Sequence, residues 1–396
     1  RDSAVSLTPG ALGAPLILLA LAVACAPVAP PAGGPRADTR DTAVWVYGAQ
    51  RWTPEERDAQ LARFATFARR LYLSVEDGPR LLVDDPDGAR LGELLDRATG
   101  RFGLAVEAML LQDPGWTGDP AGATERVRRV VTYHAARRAR GQAGFAGLHF
   151  DIEPHSEEVW ACATAPERAA TLSQLHEVFR RARAAVQQGA PAPAPQLTAA
   201  LPWWLGHLSV EVPNAAPAAW LAELDEVVLM VYGDPGGPLV GESVPAVVRR
   251  IDDTRLWRDL PPGRGLRIGL ATFEHKDLAA LRATIAGVES AFGQRAGFRG
   301  TAIFANDQVW DAPLVPFVEG RVVDVAGRAV AGARLRGAGH DVESNRCGGF
   351  GFKGLPVEGV ELEVTAQGYL PIRVPVGRLV PGRVRELPPV RLERAP

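Results

Sequence analysis

Gly147-Leu-His-Phe-Asp-Ile-Glu153 is a short apolar run that closes on two carboxylates set two positions apart. After Pro154 comes a longer stretch, PERAATLSQLHEVFRRARAAVQQ (166–188), whose apolar residues recur at the three-to-four spacing of a helix. The unit repeats in both directions. Upstream lie AVWVYG (43–48), LYLSVE (71–76) and LAVEAMLL (104–111); downstream lie QLTAALP (196–202), EVVLMVYG (226–233), RIGLATFE (267–274) and GTAIFAN (300–306). Runs this short and this apolar suit parallel strands covered by helices on the outside. The intervening segments carry helix-start chemistry. Thr53, Pro54 and Glu56 make a capping box with proline at the first helical position, and Asp277 caps a later segment.

Eight such units between residues 43 and 314 predict a (β/α)8 TIM barrel, a fold typically of about 250 residues. A doubly wound sheet would place a Gly-rich phosphate loop after its first strand, and none stands there. In a TIM barrel, chemistry sits at the C-terminal ends of the strands. Polar and aromatic residues gather at those ends: Tyr47, Glu76-Asp77, Gln112-Asp113, Asp151 and Glu153, Trp203-Trp204, Tyr232 and Asp234, Glu274-His275, Phe304 and Asn306-Asp307. Carboxylates mixed with aromatic faces suit a sugar, whose hydroxyls take hydrogen bonds and whose C–H faces stack on rings. Side chains two apart share one face of a strand, so His149, Asp151 and Glu153 are all expected to point into the barrel.

The segment ending in Glu153 resembles the strand-four signature D-x-D-x-E of glycoside hydrolase family 18, the chitinase-type enzymes. Leu197-Thr-Ala-Ala-Leu-Pro202 is similar to that family's fifth-strand LTxAxP, and Met230-Val-Tyr232 to its sixth-strand M-x-Y-D. Gly300-Thr-Ala-Ile-Phe304 follows the eighth-strand rhythm, with Phe304 where the family has tryptophan. His149 replaces the first aspartate of the signature, Asp234 is displaced by one place behind Gly233, and the third-strand S-x-G-G is absent. The resemblance implies that Glu153 is the proton donor and that Asp151 orients a substrate N-acetyl group whose carbonyl attacks the anomeric carbon. It also implies that the Tyr232 hydroxyl holds that carbonyl. Asp234, Trp203, Trp204, Glu274, Phe304 and Tyr47 are the candidate substrate-binding residues. A second route remains open, in which Glu153 and Glu274 act as the acid/base and nucleophile of a retaining glycosidase. A third is a barrel that binds carbohydrate without cleaving it. His155 and Glu158 form an H-x-x-E without a third ligand in context, so neither a metal nor an organic cofactor is implied.

The ends of the chain read differently. Leu12 to Cys25 is an apolar run too short to span a bilayer, which takes about 20 residues. It is expected to be a signal peptide (1–25), with Cys25 a candidate lipidation site that would attach the protein to a membrane. Residues 26–42, rich in Ala, Pro and Gly, are expected to form a disordered linker. From Phe317 the pattern changes to short alternating strands. GRVVD, GARLRG, CGGFGFKGLP and VTAQGYLP resemble the carboxypeptidase-regulatory-like, transthyretin-like β-sandwich over 315–396, with Gly327 and Gly349 at its turns. Cys162 and Cys347 fall in different expected domains; a bridge between them is open, and free or buried thiols are the expectation. A net charge of −2 with 46% hydrophobic and 23% charged residues gives no sign of a nucleic-acid partner, and the expected partner is a polysaccharide or oligosaccharide. Export, as a lipoprotein or in secreted form, follows from the leader.

Overall fold

The computed structural model describes residues 41–396 apart from 85, 157–159, 161, 206–219, 233–243, 254–259, 276, 305–315 and 382–383. Cys25, Glu158, Asp234, Asn306 and Asp307 therefore lie outside the described residues, as does the segment 1–40 in which a leader and linker are expected.

The apolar runs form the strands of one closed parallel barrel. In chain order they are β1 (Ala43–Val46), β2 (Arg70–Ser74), β5 (Ala105–Leu110), β6 (Gly147–Phe150), β7 (Gln196–Pro202), β8 (Glu226–Met230), β9 (Gly265–Ala271) and β10 (Phe298–Phe304). A two-stranded hairpin, β3 (Glu76–Asp77) and β4 (Arg80–Leu81), interrupts the series after β2. The barrel closes by pairing β1 with both β2 and β10, with Trp45 opposite Tyr72 on one side and Phe304 on the other.

Helices pack outside, and their buried stripes follow from sequence spacing. On the helix Ala165–Gly189, Leu172, Leu175, Val178, Phe179, Ala182 and Val186 face inward. On the helix Asp87–Gly100, Leu91, Leu94, Leu95 and Ala98 do so. Thr53 and Glu56 make both bonds of the capping box, and Asp277 accepts from the backbone of Ala280 at 2.7 Å.

The barrel interior is polar at its N-terminal end. Arg267, 1% exposed, donates to Glu226 at 2.6 Å, and Arg70 pairs with Glu107 and Asp41. Tyr72 donates to Glu226 at 3.4 Å. These groups sit where branched aliphatic side chains usually fill such barrels. Removing one partner of a buried pair leaves an uncompensated charge, which costs about 3–5 kcal/mol. Glu226→Gln is therefore expected to lower the unfolding free energy by about that amount in a urea titration. A loss under about 1 kcal/mol would mean that Arg267 does not depend on this carboxylate.

Beyond the barrel the chain forms two four-stranded sheets. In the first, β11 (Phe317–Asp324) pairs with β14 (Gly349–Lys353), β17 (Val384–Glu386) and β18 (Val390–Leu392). In the second, β12 (Arg334–Gly337) and β15 (Glu361–Thr365) lie between β13 (His340–Glu343) and β16 (Ile372–Pro375). Val318, Val322, Phe350 and Phe352 of the first sheet share one apolar core with Leu335, Leu362 and Val364 of the second. Gly327 takes the left-handed turn conformation, φ 81°. At the turn before β14 the left-handed residue is Gly348, φ 78°, rather than Gly349, which begins that strand. A Cβ on Gly348 would also meet the Val322 carbonyl oxygen at 2.2 Å, so this position excludes a side chain twice over.

The two cysteines correct the expectation of separate thiols. Cys162, at the foot of the helix that follows β6, is bonded to Cys347 across 185 residues. The bridge ties the loop beyond Glu153 to the first C-terminal sheet. Cross-links of this kind contribute about 2–4 kcal/mol, chiefly by restricting the unfolded chain. Cys347→Ser is expected to lower stability by that order in denaturant unfolding without reductant. An unchanged midpoint would show that the bridge does not form in solution.

Candidate active site

The site lies at the C-terminal mouth of the barrel, just beyond the last residues of its strands. β6 ends at Phe150, yet the Asp151 amide still donates to the Leu110 carbonyl at 3.2 Å, so the strand direction carries on past its formal end. Alternation then sends Asp151 and Glu153 to the side that holds His149. Tyr47 stands two residues past Trp45 on β1, and Tyr232 two past Met230 on β8. Trp45, Tyr72, Met109, Val228 and Met230 fill the lumen beneath, and Tyr232 and Phe304 pack onto that layer from above.

Side chains from distant strands meet here. The Tyr47 hydroxyl donates to Asp151 Oδ2 at 3.0 Å. Tyr232 stacks on Phe304 with ring centroids 5.7 Å apart, and Tyr47 meets Phe304 edge-on at 6.0 Å. His155 Nε2 lies 3.7 Å from Glu153 Oε2, and its ring stands edge-on to Trp204 at 5.4 Å. Glu274, in the short turn after β9, is 5% exposed, and its charge acts on Tyr232 together with those of Glu153 and Asp151.

Burial dominates the electrostatics. It raises the Glu153 carboxyl to about 8, with the charge of Asp151 adding to the effect. It raises Asp151 to about 6, against the hydrogen bond from Tyr47, while the charge of Glu76 pushes the same way as burial. Two like groups side by side and partly buried titrate as a pair, with the second proton held up to the higher value. Tyr47 and Tyr232 are both raised well above the ordinary phenol value, by burial first and then by these carboxylates. They remain hydroxyl donors throughout the neutral range. Burial lowers His155 to about 4, so near neutrality its contact with Glu153 is that of a neutral imidazole and not an ion pair.

His149 occupies the place of the first aspartate of the resembled signature. Trp45 Nε1 donates to its Nε2 at 3.1 Å, so the ring proton sits on Nδ1, which donates to Thr198 Oγ1 at 2.7 Å; Thr198 in turn donates to Glu107 at 2.7 Å. Both ring nitrogens are thereby used, and burial keeps the ring neutral. His149 joins the site to the charged layer beneath, and the direct partner of Asp151 is Tyr47.

The remaining candidates fall elsewhere. Trp203 is 9% exposed, with the Arg250 guanidinium 5.0 Å over its ring. Trp204 is half-buried and meets His155 and Trp160. Glu76 is held by Arg126 at 2.8 Å and by the backbone of Gln112 at 3.1 Å, and Asp113 caps the turn that follows it. His275 bonds the Ala271 carbonyl at 2.9 Å and Thr284 at 3.1 Å. Among the described residues, no group of three or more His, Cys, Asp or Glu is arranged to hold a metal ion.

No protein-family model matches the chain, and no curated protein matches it. Several solved structures are similar at low identity. A GH18 chitinase from Pseudoalteromonas aurantia is 12% identical with a TM-score of 0.45, over 68% of this chain and 96% of that one. The glycoside hydrolase domain of PgaB (BpsB) from Bordetella bronchiseptica is 12% identical with a TM-score of 0.44, over 69% and 96%. An exo-β-1,4-mannosidase from Opitutaceae bacterium strain TAV5 is 16% identical with a TM-score of 0.47, over 73% and 57%. The barrel assignment rests on strand order and register, and these likenesses assign no residue a role.

Proposed function

We propose that the protein is an exported glycoside hydrolase acting on a polysaccharide that contains N-acetylhexosamine, with Glu153 as its proton donor. The observation that supports this reading is that Asp151 and Glu153 leave the same strand end side by side, the Tyr47 hydroxyl donating to Asp151 at 3.0 Å and partial burial holding the Glu153 carboxyl up to about 8. Glu153 gives its proton to the glycosidic oxygen as the bond to the anomeric carbon breaks. The acetamido carbonyl oxygen of the same sugar attacks that carbon and takes the developing positive charge into an oxazolinium ring. Ionised Asp151, steadied by the Tyr47 hydroxyl, accepts the amide N–H of that ring, and the Tyr232 hydroxyl donates to its oxygen. Water then opens the ring and returns its proton to Glu153. Of the two adjacent tryptophans, Trp204 is placed to meet a sugar, since Arg250 covers a face of Trp203.

Release of reducing ends from a β-1,4-linked N-acetylglucosamine oligomer, and none from its de-N-acetylated counterpart, is the expected result. Equal release from both contradicts the assisted route and favours the covalent one through Glu153 and Glu274, since Glu274 shares the electrostatic surroundings of Tyr232. Release from neither fits a barrel that only binds sugar. The Cys162–Cys347 bridge supports export, because structural disulfides persist in oxidising compartments. A lipid on Cys25 is part of the same proposal, checked by mass spectrometry of the mature N-terminus. The C-terminal sheets are proposed as an accessory module of the carboxypeptidase-regulatory-like kind, with no part in catalysis.

A further inference from the structure

Between Glu153 and the helix Ala165–Gly189 runs a short segment that carries His155, Trp160 and Cys162. Its helix end is held by a capping box of its own, in which the Thr164 amide donates to Glu167 at 2.7 Å. Trp160 is buried, its carbonyl oxygen accepts from the Ala163 amide at 3.1 Å, and the Arg168 guanidinium lies 5.6 Å over its ring. From Trp160 a series of rings leads back to the acid. Trp160 meets Trp204 at 6.1 Å, Trp204 meets His155 edge-on at 5.4 Å, and His155 Nε2 stands 3.7 Å from Glu153 Oε2. That last distance is too long for a hydrogen bond, so the imidazole is a wall beside the carboxyl rather than its proton partner.

The segment has a further anchor outside the barrel. Cys162 is bonded to Cys347 in the turn before β14, and that turn is itself firmly held. Asn345 Oδ1 accepts from the amides of Cys347 at 3.1 Å and Gly349 at 2.7 Å, and Arg321 Nη2 donates to the Cys347 carbonyl at 3.0 Å. The charge of Arg346, next to Cys347, also reaches Glu167 of the capping box. A cross-link from Cys347 to another surface loop would restrict the unfolded chain about as well, because loop length enters only logarithmically. Placed here, it also fixes the rings beside Glu153.

We infer that His155 is a positioning residue for Glu153, kept against the acid by a brace made of Trp204, Trp160 and the Cys162–Cys347 bridge. The C-terminal sheets thereby set the geometry of a site to which they lend no group. The inference rests on the proposed function for the role of Glu153, and not for the brace itself. Confinement of the carboxyl matters because a misplacement of about 1 Å costs about 10²-fold in rate. A closed wall also keeps water away from it, and burial is the first cause of its raised value. Asp151 from the same strand end, Tyr47 from β1 and Tyr232 from β8 are coupled to that carboxyl through their charge, and each stands at a strand end rather than on the braced segment.

His155→Ala is expected to lower kcat on an N-acetylated oligomer by about 10–10²-fold with KM changed less than about twofold, and His155→Gln, neutral and planar, to recover most of the loss. Cys162→Ala/Cys347→Ala, assayed at a temperature where circular dichroism shows it folded, is expected to lose about tenfold in kcat by the same route. Two NMR readouts need no substrate. In the variant without the bridge, the Overhauser contact between the His155 ring and the Trp204 indole is expected to weaken. The Glu153 carboxyl is expected to titrate below its native value of about 8 in that variant and in His155→Ala. A native ring contact and a native Glu153 titration in the bridgeless protein overturn the brace and leave Glu153 as the acid. A native kcat in His155→Ala overturns the positioning role of His155. A weakened contact and a lowered titration in a protein that cleaves no N-acetylated oligomer support the brace and overturn the catalytic reading alone.

Discussion

Glu153→Gln is expected to lower kcat on an N-acetylated oligomer by about 10²–10⁴-fold, the range that a positioned general acid contributes. The substitution replaces the acidic O–H with an amide that cannot give up its proton and leaves the shape of the side chain nearly unchanged, so substrate binding is expected to persist in an inhibition or calorimetric assay. Asp151→Asn tests the partner. Its loss removes the ionised acceptor for the amide N–H and also the like charge that helps to raise Glu153. The variant is expected to be slow, with its alkaline limb moved to lower pH. A Glu153→Gln protein that hydrolyses at the native rate removes Glu153 from the chemistry. One that fails to bind assigns it to binding instead.

The second large effect is on pH. In the proposed mechanism Glu153 works protonated, so the rate is expected to fall as pH rises through about 8. The same mechanism needs Asp151 ionised, so the rate is expected to fall as pH drops through about 6. The profile is a bell whose limbs belong to the pair rather than to either residue alone. Stability carries the same signature without any substrate. Glu153 binds its proton more tightly folded than unfolded, where a glutamate titrates near 4.3. Its contribution is therefore complete below about pH 4 and is lost as pH rises through about 8. Gln at 153 never ionises, so Glu153→Gln is expected to exceed the native protein in stability at pH 9. The gain is roughly 1–3 kcal/mol once the shift is reduced for partial solvent exposure, and it narrows toward acid. Parallel unfolding curves at pH 5 and pH 9 measure it. An equal difference at both values would mean that Glu153 titrates as an ordinary surface carboxyl.

Much of this arrangement is legible in the sequence because it is local. Eight short apolar runs alternating with amphipathic stretches, some with helix caps, leave little choice but a barrel, and alternation along β6 sets Asp151 and Glu153 on the face of His149. What could not be read depends on residues far apart in the chain. Trp45, His149, Thr198 and Glu107 form one hydrogen-bonded series drawn from four strands, and no spacing within any single segment announces it. Tyr47 is the nearest case, since it shares a face of β1 with Trp45, but its bond to Asp151 spans 104 residues. The Cys162–Cys347 pairing spans 185 and requires the second domain to fold back on the loop after β6. Adjacent tryptophans at a strand end are indistinguishable by composition. Their tertiary surroundings separate them: Trp203 is buried under Arg250, and Trp204 is half-buried against His155 and Trp160.

The buried lower layer explains how His149 is tolerated where the resembled signature carries an acid. A third carboxylate there would add like charge beneath a pair already raised by burial. A neutral imidazole bonded on both nitrogens fills the same space without charge, and Tyr47 supplies the hydrogen bond that Asp151 needs.

The most direct test is a carbon-detected NMR titration of the side-chain carboxyls of Asp151 and Glu153 in the native protein. The higher step is expected near 8 on Glu153 and the lower near 6 on Asp151, with the Glu153 step moving down in Asp151→Asn. Two independent titrations near 4, unmoved by that substitution, would contradict a shared desolvated site and with it the assignment of Glu153 as the acid.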